Sequence, residues 1–123
     1  MNGGYTLTDE AGPAGEKRGI VIRLRPERAE EYLALHANVW PGVLDAMRRN
    51  GWRDFTIFLR EPEMLMFGVY RFVGKDFETS ARAIAADPET QRWWALCEPC
   101  QEPFDTRASG EWWVQMRPIF HMD

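Results

Sequence analysis

At 123 residues, 45% hydrophobic and 28% charged, the chain is long enough for one domain with a real core. Its formal net charge is −4 with acids and bases interspersed, so no basic stripe is available to neutralise phosphates, which excludes nucleic acid as a main partner. No apolar run approaches the ~18 residues a bilayer-spanning helix needs, which excludes a membrane-spanning helix.

The opening residues, MNGGYTLTDEAGPAGEK, hold no apolar stretch of the secretory kind. With only two cysteines, the expected setting is reducing and cytoplasmic. Residues 1–16 are rich in Gly, Thr, Ala and Pro without periodicity and read as a flexible tail, leaving 17–123 as the domain. Lys17 to Leu24, KRGIVIRL, is a β-branched run and predicts a first strand. A helix is expected from near Pro26, with Ala29, Tyr32, Leu33, His36 and Trp40 on its inner face. Pro41 either kinks that helix or starts another, because the residue before a proline avoids helical geometry. Val43, Leu44 and Met47 continue the stripe, and Asn50-Gly51 ends it.

Trp52 to Leu59 and Met64 to Phe72 predict two strands joined by a four-residue hairpin, REPE. Asp76 is placed to cap a helix whose buried side is Phe77, Ala81, Ile84 and Ala85. Asp87-Pro88 restarts helical structure with an N-cap and a proline at the first position. That helix carries QRWWALC and ends near Pro99. A polar loop, EPFDTRASGE, then leads to a last strand from Trp112 to about Met122. The order is β-α-β-β-α-β, an α+β fold of the ferredoxin-like split βαβ type. Helices from one chain cover one sheet face, yet the strands are apolar on both: Leu65, Phe67 and Val69 alternate with Met66, Tyr70 and Phe72. The uncovered face calls for a partner, and the expectation is a homodimer packed sheet to sheet, a dimeric α/β barrel.

His36 is the first residue with chemistry to offer, since its intrinsic pKa near 6.5 lets it give and accept a proton near neutrality. A satisfied core histidine has the same spacing. Tyr32 lies one turn earlier with a hydroxyl on the same face, and equally fits a packing role with its tip in water. Trp93-Trp94 point about 100° apart on a helix, so one packs inward while the other lines a rim or interface. Indole faces suit the C–H faces of sugars, and also suit plain packing. Cys97 and Cys100 form a lone C-x-x-C at a helix C-terminal end, the wrong polarity for a stabilised thiolate. A zinc site would need further ligands, and His36 and His121 are the only histidines. No phosphate loop, dinucleotide fingerprint, nucleophile elbow or H-E-x-x-H helix is present.

Four short marks in order resemble the L-rhamnose mutarotase family, over residues 17–122. They are Y-x-x-x-H-x-x-x-W-P at Tyr32, His36, Trp40 and Pro41, and G-x-x-x-[YF]-x-I-x-L from Gly51 to Leu59. Q-R-W-W at Gln91 to Trp94 and F-H-M at Phe120 to Met122 follow. The resemblance implies a small, cofactor-free, metal-free, dimeric ferredoxin-like protein that interconverts α and β anomers of a 6-deoxy-hexose such as L-rhamnose. It makes His36 the proton donor and assigns the monosaccharide to Tyr32, Trp93, Trp94 and position 55. That position departs: Phe55 stands where better-known members carry a sugar-binding tyrosine. The segment CEPCQEPF also differs from their asparagine- and proline-containing loop. Both bear on which sugar is preferred, with L-fucose the main competitor. Two other readings remain: a cofactor-free monooxygenase or related barrel enzyme, and a non-catalytic binding protein in which His36 is structural. His121 is open as a second acid-base group.

Overall fold

A computed structural model of the chain describes Thr8, Asp9 and residues 15–123. Among these residues a curled antiparallel sheet of six strands packs against four α-helices. The strands are β1 (Thr8–Asp9), β2 (Gly15–Leu24), β3 (Trp52–Arg60), β4 (Leu65–Phe72), β5 (Gln101–Glu102) and β6 (Val114–Met116). The helices are α1 (Ala29–His36), α2 (Pro41–Arg49), α3 (Phe77–Ala86) and α4 (Pro88–Cys97).

The central strand β2 pairs with β4 from Glu16↔Phe72 to Arg23↔Leu65, and β4 pairs in turn with β3. Along β2, in succession, lie β1 at Gly15 and Glu16, β6 at Gly19 to Val21, and β5 at Arg23 and Leu24. Two expectations are corrected here. Gly15 and Glu16 belong to β2 rather than to a tail, and Thr8–Asp9 pairs with them. Residues 1–7 and 10–14 of that expected tail lie outside the described residues. The last strand stops at Met116 instead of running to about Met122, because Pro118 has no N–H to donate to a ladder. Ile119 and Phe120 are then strongly exposed, at 82% and 78%.

Alternation along the strands decides which face is core. Ile20, Ile22 and Leu24 of β2 and Met66, Tyr70 and Phe72 of β4 are buried under the helices. Directly opposite residues share a face, so Val114, Val21, Phe67 and Phe58 form a row across four strands on the other side. Phe58 is 58% exposed there. Two of the helices that cover the inner face, α3 and α4, are capped by aspartates as their sequence predicts. Asp76 accepts from the backbone N–H of Glu78 and Thr79, and Asp87 accepts from that of Thr90 at 2.9 Å. Trp40, just before Pro41, is extended at ψ 135°, so the expected helix is two, α1 and α2. Leu33 does not face inward as its spacing suggested. At 52% exposure it lies outside, and α1 is rotated so that Ala29, Tyr32 and Leu35 meet the core.

Candidate active site

Two clusters make up the core. One gathers Ile22, Leu24, Tyr32, Val43, Met66, Trp93, Cys97 and Cys100, and the other holds Ile20, Tyr70 and Phe72 with Trp52, Phe55 and Phe77 around them. Trp113 packs against both. The predicted site residues divide between these clusters and the surface.

Tyr32 and His36 sit one turn apart on α1, and their rings stack at 4.1 Å between centroids, 27° between planes. Trp93 from α4 meets His36 edge-on at 5.2 Å, and Trp40 meets Trp93 edge-on at 5.2 Å. The opening stripe of the first helix and the QRWW segment are thus brought together. Phe55 is not among them. A β-bulge between Arg53 and Thr56, with Asp54 at φ 53°, turns Phe55 toward the second cluster, where its ring meets Tyr70 at 5.3 Å. Gly68 of β4, paired with Ile57 and Ile20, is a required glycine, since a Cβ there would come within 2.8 Å of Ile20 and 3.1 Å of the Phe55 ring. Trp94 points outward and is 39% exposed, while Trp93 is 4% exposed, the division that adjacent helical positions demand. His121 is outside the group too, with its Nε2 2.9 Å from Asp123 Oδ1 at the exposed chain end.

Hydrogen-bond logic fixes the state of the site. His36 Nδ1 lies 3.0 Å from the Tyr32 carbonyl oxygen, which can only accept, so Nδ1 carries the proton. Neutral His36 therefore presents an unprotonated Nε2. Burial lowers the His36 pKa from its usual value, and the bond to the Tyr32 carbonyl opposes that shift in part. The Tyr32 phenol is buried, and burial raises its pKa, so it remains protonated. Its oxygen accepts from Gln101 Nε2 at 3.0 Å, and Gln101 Oε1 accepts from Trp112 Nε1 at 2.7 Å.

Three polar atoms are left over. Among the described residues, the Tyr32 hydroxyl proton, His36 Nε2 and the Trp93 indole N–H have no hydrogen-bond partner. Tyr32 and Trp93 are 3% and 4% exposed, and buried polar groups are rarely orphaned without a functional reason. Two donors and one acceptor on three aromatic residues in mutual ring contact suit a polyhydroxylated ligand with apolar C–H faces. A groove of about 300 Å³ lies elsewhere, between Glu16–Arg18 and Gln115–Pro118, and none of the three atoms faces it. Among the described residues no three His, Cys, Asp or Glu side chains converge as a metal would require. Cys97 and Cys100 are free and buried, and burial pushes the Cys97 thiol up to about 12 and raises that of Cys100, so neither is a ready nucleophile.

Sequence reasoning missed Gln101 and Trp112 as partners of the site. Gln101 stood at the edge of an expected polar loop, and its two bonds join residues 69 and 11 positions away.

The L-rhamnose mutarotase family matches residues 17–122. A protein of that name from Sinorhizobium fredii is 32% identical over 108 residues, which span 87% of this chain and 98% of the relative. Among solved structures, an L-rhamnose mutarotase from Formosa agariphila superposes with a TM-score of 0.70 at 17% identity, covering 88% of this chain and 99% of the other. Tetracenomycin F2 cyclase from Streptomyces glaucescens shares the fold at a TM-score of 0.64 and 14% identity, over 87% and 96% of the two chains. No described helix is long and apolar enough to cross a membrane.

Proposed function

The chain belongs to the L-rhamnose mutarotase family, and on that premise we propose that it interconverts the α and β anomers of a 6-deoxy-hexose, foremost L-rhamnose, with His36 as the acid-base group. The observation that carries this reading is the pair of orphaned atoms on α1, His36 Nε2 and the Tyr32 hydroxyl proton. Ring opening removes a proton from the anomeric hydroxyl, breaks the bond between C1 and the ring oxygen, and adds a proton to that oxygen. Neutral His36 Nε2 takes the first proton, and the imidazolium so formed supplies the second. Rotation about C1–C2 turns the aldehyde, and the same steps in reverse close the ring on its other face. No electrons and no net protons are exchanged, so the chemistry needs no cofactor. General acid-base catalysis of this kind contributes ~10²–10⁴-fold. Tyr32 and Trp93 act as hydrogen-bond donors to sugar oxygens, and the exposed Trp94 lies at the rim.

The fold reading goes with this. The order β6-β2-β4-β3 across the sheet supports the ferredoxin-like split βαβ arrangement. The apolar row Val114, Val21, Phe67 and Phe58 supports a homodimer closed face to face. Phe58→Arg places a charge in the middle of that contact, and sedimentation velocity then reads monomer where the native chain reads dimer. The two buried free thiols fit a reducing, cytoplasmic setting.

Proton NMR saturation transfer between anomeric signals tests the activity on L-rhamnose, L-fucose and D-glucose. Faster exchange of one 6-deoxy sugar, lost in folded His36→Ala, is the expected outcome. No acceleration of any sugar would overturn the reading. L-fucose is the second substrate to weigh, and because Phe55 packs on Tyr70 rather than beside His36, the missing tyrosine hydroxyl does not decide between the two sugars.

A further inference from the structure

We infer that Gln101 is a positioning residue, which, through Trp112, holds the Tyr32 hydroxyl as a hydrogen-bond donor toward the sugar. This rests on the mutarotase reading and deepens it. The argument begins with the one member of the chain that has no choice. An indole N–H only donates, so the Gln101 atom 2.7 Å from Trp112 Nε1 is the amide oxygen. The amide NH₂ is then the group 3.0 Å from Tyr32 Oη, and the phenol oxygen accepts. With that direction closed, the phenol proton must point elsewhere, and among the described residues nothing receives it.

Gln101 is built to do this. It stands opposite Leu24 in the β2/β5 ladder, which sends its side chain to the buried face, and it is 4% exposed. A buried amide with both ends bonded has one rotamer and one orientation. Were the amide turned round, its oxygen would take the phenol proton, and the sugar would meet a spent donor. The indole prevents that. Trp112 itself precedes β6, so a residue of the last strand region sets the polarity of a hydroxyl on the first helix.

Gln101→Glu reverses the direction. The carboxylate accepts from both Trp112 and Tyr32, and the phenol proton is drawn away from the substrate. When protonated, the same group accepts from Trp112 and donates to Tyr32, as the amide does. A buried carboxyl titrates above the usual glutamate range. The titratable and charged groups along this chain are Tyr32 and the Cys97 and Cys100 thiols that act on it, all raised and therefore protonated through the working range, with His36 stacked on Tyr32 and the Arg107 guanidinium 5.7 Å from the Trp112 ring.

The experiment is anomer exchange of L-rhamnose by NMR for wild type and Gln101→Glu from pH 8 to 5.5, with turnover and KM separated by varying the sugar. The expected variant is slower on the order of 10²-fold at pH 8, in kcat rather than KM, and the ratio of variant to wild-type rate climbs as pH falls. The new carboxylate can only raise the His36 pKa, so His36 titration by itself would lower the ratio as pH falls, the opposite of the expected climb. A ratio that stays flat, or a variant at wild-type rate at pH 8, overturns the inference. Should Gln101→Glu fail to fold, a cycle of Trp112→Phe and Gln101→Met decides. Without the indole the amide is free to turn, so Trp112→Phe alone slows turnover about fivefold, the worth of one hydrogen bond. In the Gln101→Met background it then adds no further loss, and losses that multiply independently overturn the inference. A wild type that accelerates no anomer exchange removes the mutarotase reading and this one with it. An active wild type with a flat ratio removes this one alone.

Discussion

Tyr32→Phe deletes one oxygen and separates the two roles that the residue holds. The aromatic ring and its stack on His36 at 4.1 Å stay, as does the backbone carbonyl that receives the His36 Nδ1 proton. What is lost is the acceptor for Gln101 Nε2, a donor that is buried and has no other partner among the described residues. An orphaned buried donor costs about 1–3 kcal/mol. Against this, the variant also removes a buried phenol proton that nothing accepts in the free protein. The net loss of stability is therefore about 1–2 kcal/mol, small beside the ~5–15 kcal/mol of a typical domain, and the variant folds. The catalytic loss is larger, because the deleted proton is a preorganised donor to a sugar oxygen, worth on the order of 10²-fold in kcat. Urea unfolding gives the first quantity and NMR anomer exchange the second. Turnover within twofold of wild type, with the stability loss present, would show that the hydroxyl only holds Gln101 in place. A stability loss beyond about 4 kcal/mol would show that the chain from Trp112 to Tyr32 is scaffolding first.

Four further outcomes follow from burial and charge. The acid limb of kcat/KM has its midpoint below the usual histidine value near 6.5, because burial disfavours imidazolium at His36; a midpoint at or above 6.5 refutes that assignment. The same shift has a stability sign: the folded pKa is depressed, so this contribution is present above the unfolded value near 6.5 and is lost as pH falls through the folded one, a trend that urea midpoints across that range record. Cys97 and Cys100 stay unmodified by a disulfide reagent at pH 8 until the protein is unfolded, and two thiols reacting at once in the native state would contradict their burial. Ile22→Ala, at a fully buried position in the centre of β2, costs on the order of 2–5 kcal/mol in urea unfolding.

Local chemistry made parts of this molecule legible in advance. Asp76 and Asp87-Pro88 announce helix starts by a mechanism that needs only the next three residues, and both caps form. The Tyr32–His36 pairing is likewise one helical turn, and α1 delivers it. The inner face of α1 was misread at Leu33, because spacing gives a stripe about 100° wide while the neighbours that choose its centre come from elsewhere in the chain. Gln101 was illegible for the same reason in stronger form. A two-residue strand has no periodicity, and an amide becomes part of a site only through partners brought by other elements. Phe55 was placed by its motif, but the bulge at Asp54, which re-aims it toward Tyr70, has no signature in DFTIFL.

The order in which the strands are made matters for β2. Its inner partner β4 follows within about fifty residues, but Gly19 waits for Met116, 97 positions later. At ribosomal rates of roughly 5–20 residues per second, that interval is roughly 5–20 s. Through it, the middle of the outer edge has open N–H and C=O groups, with Lys17, Arg18 and Arg23 the cationic side chains that discourage a neighbouring nascent chain from adding there. Completion of the sheet thus lags well behind its first pairing, and the segment that closes it is the one that also brings Trp112 to Gln101.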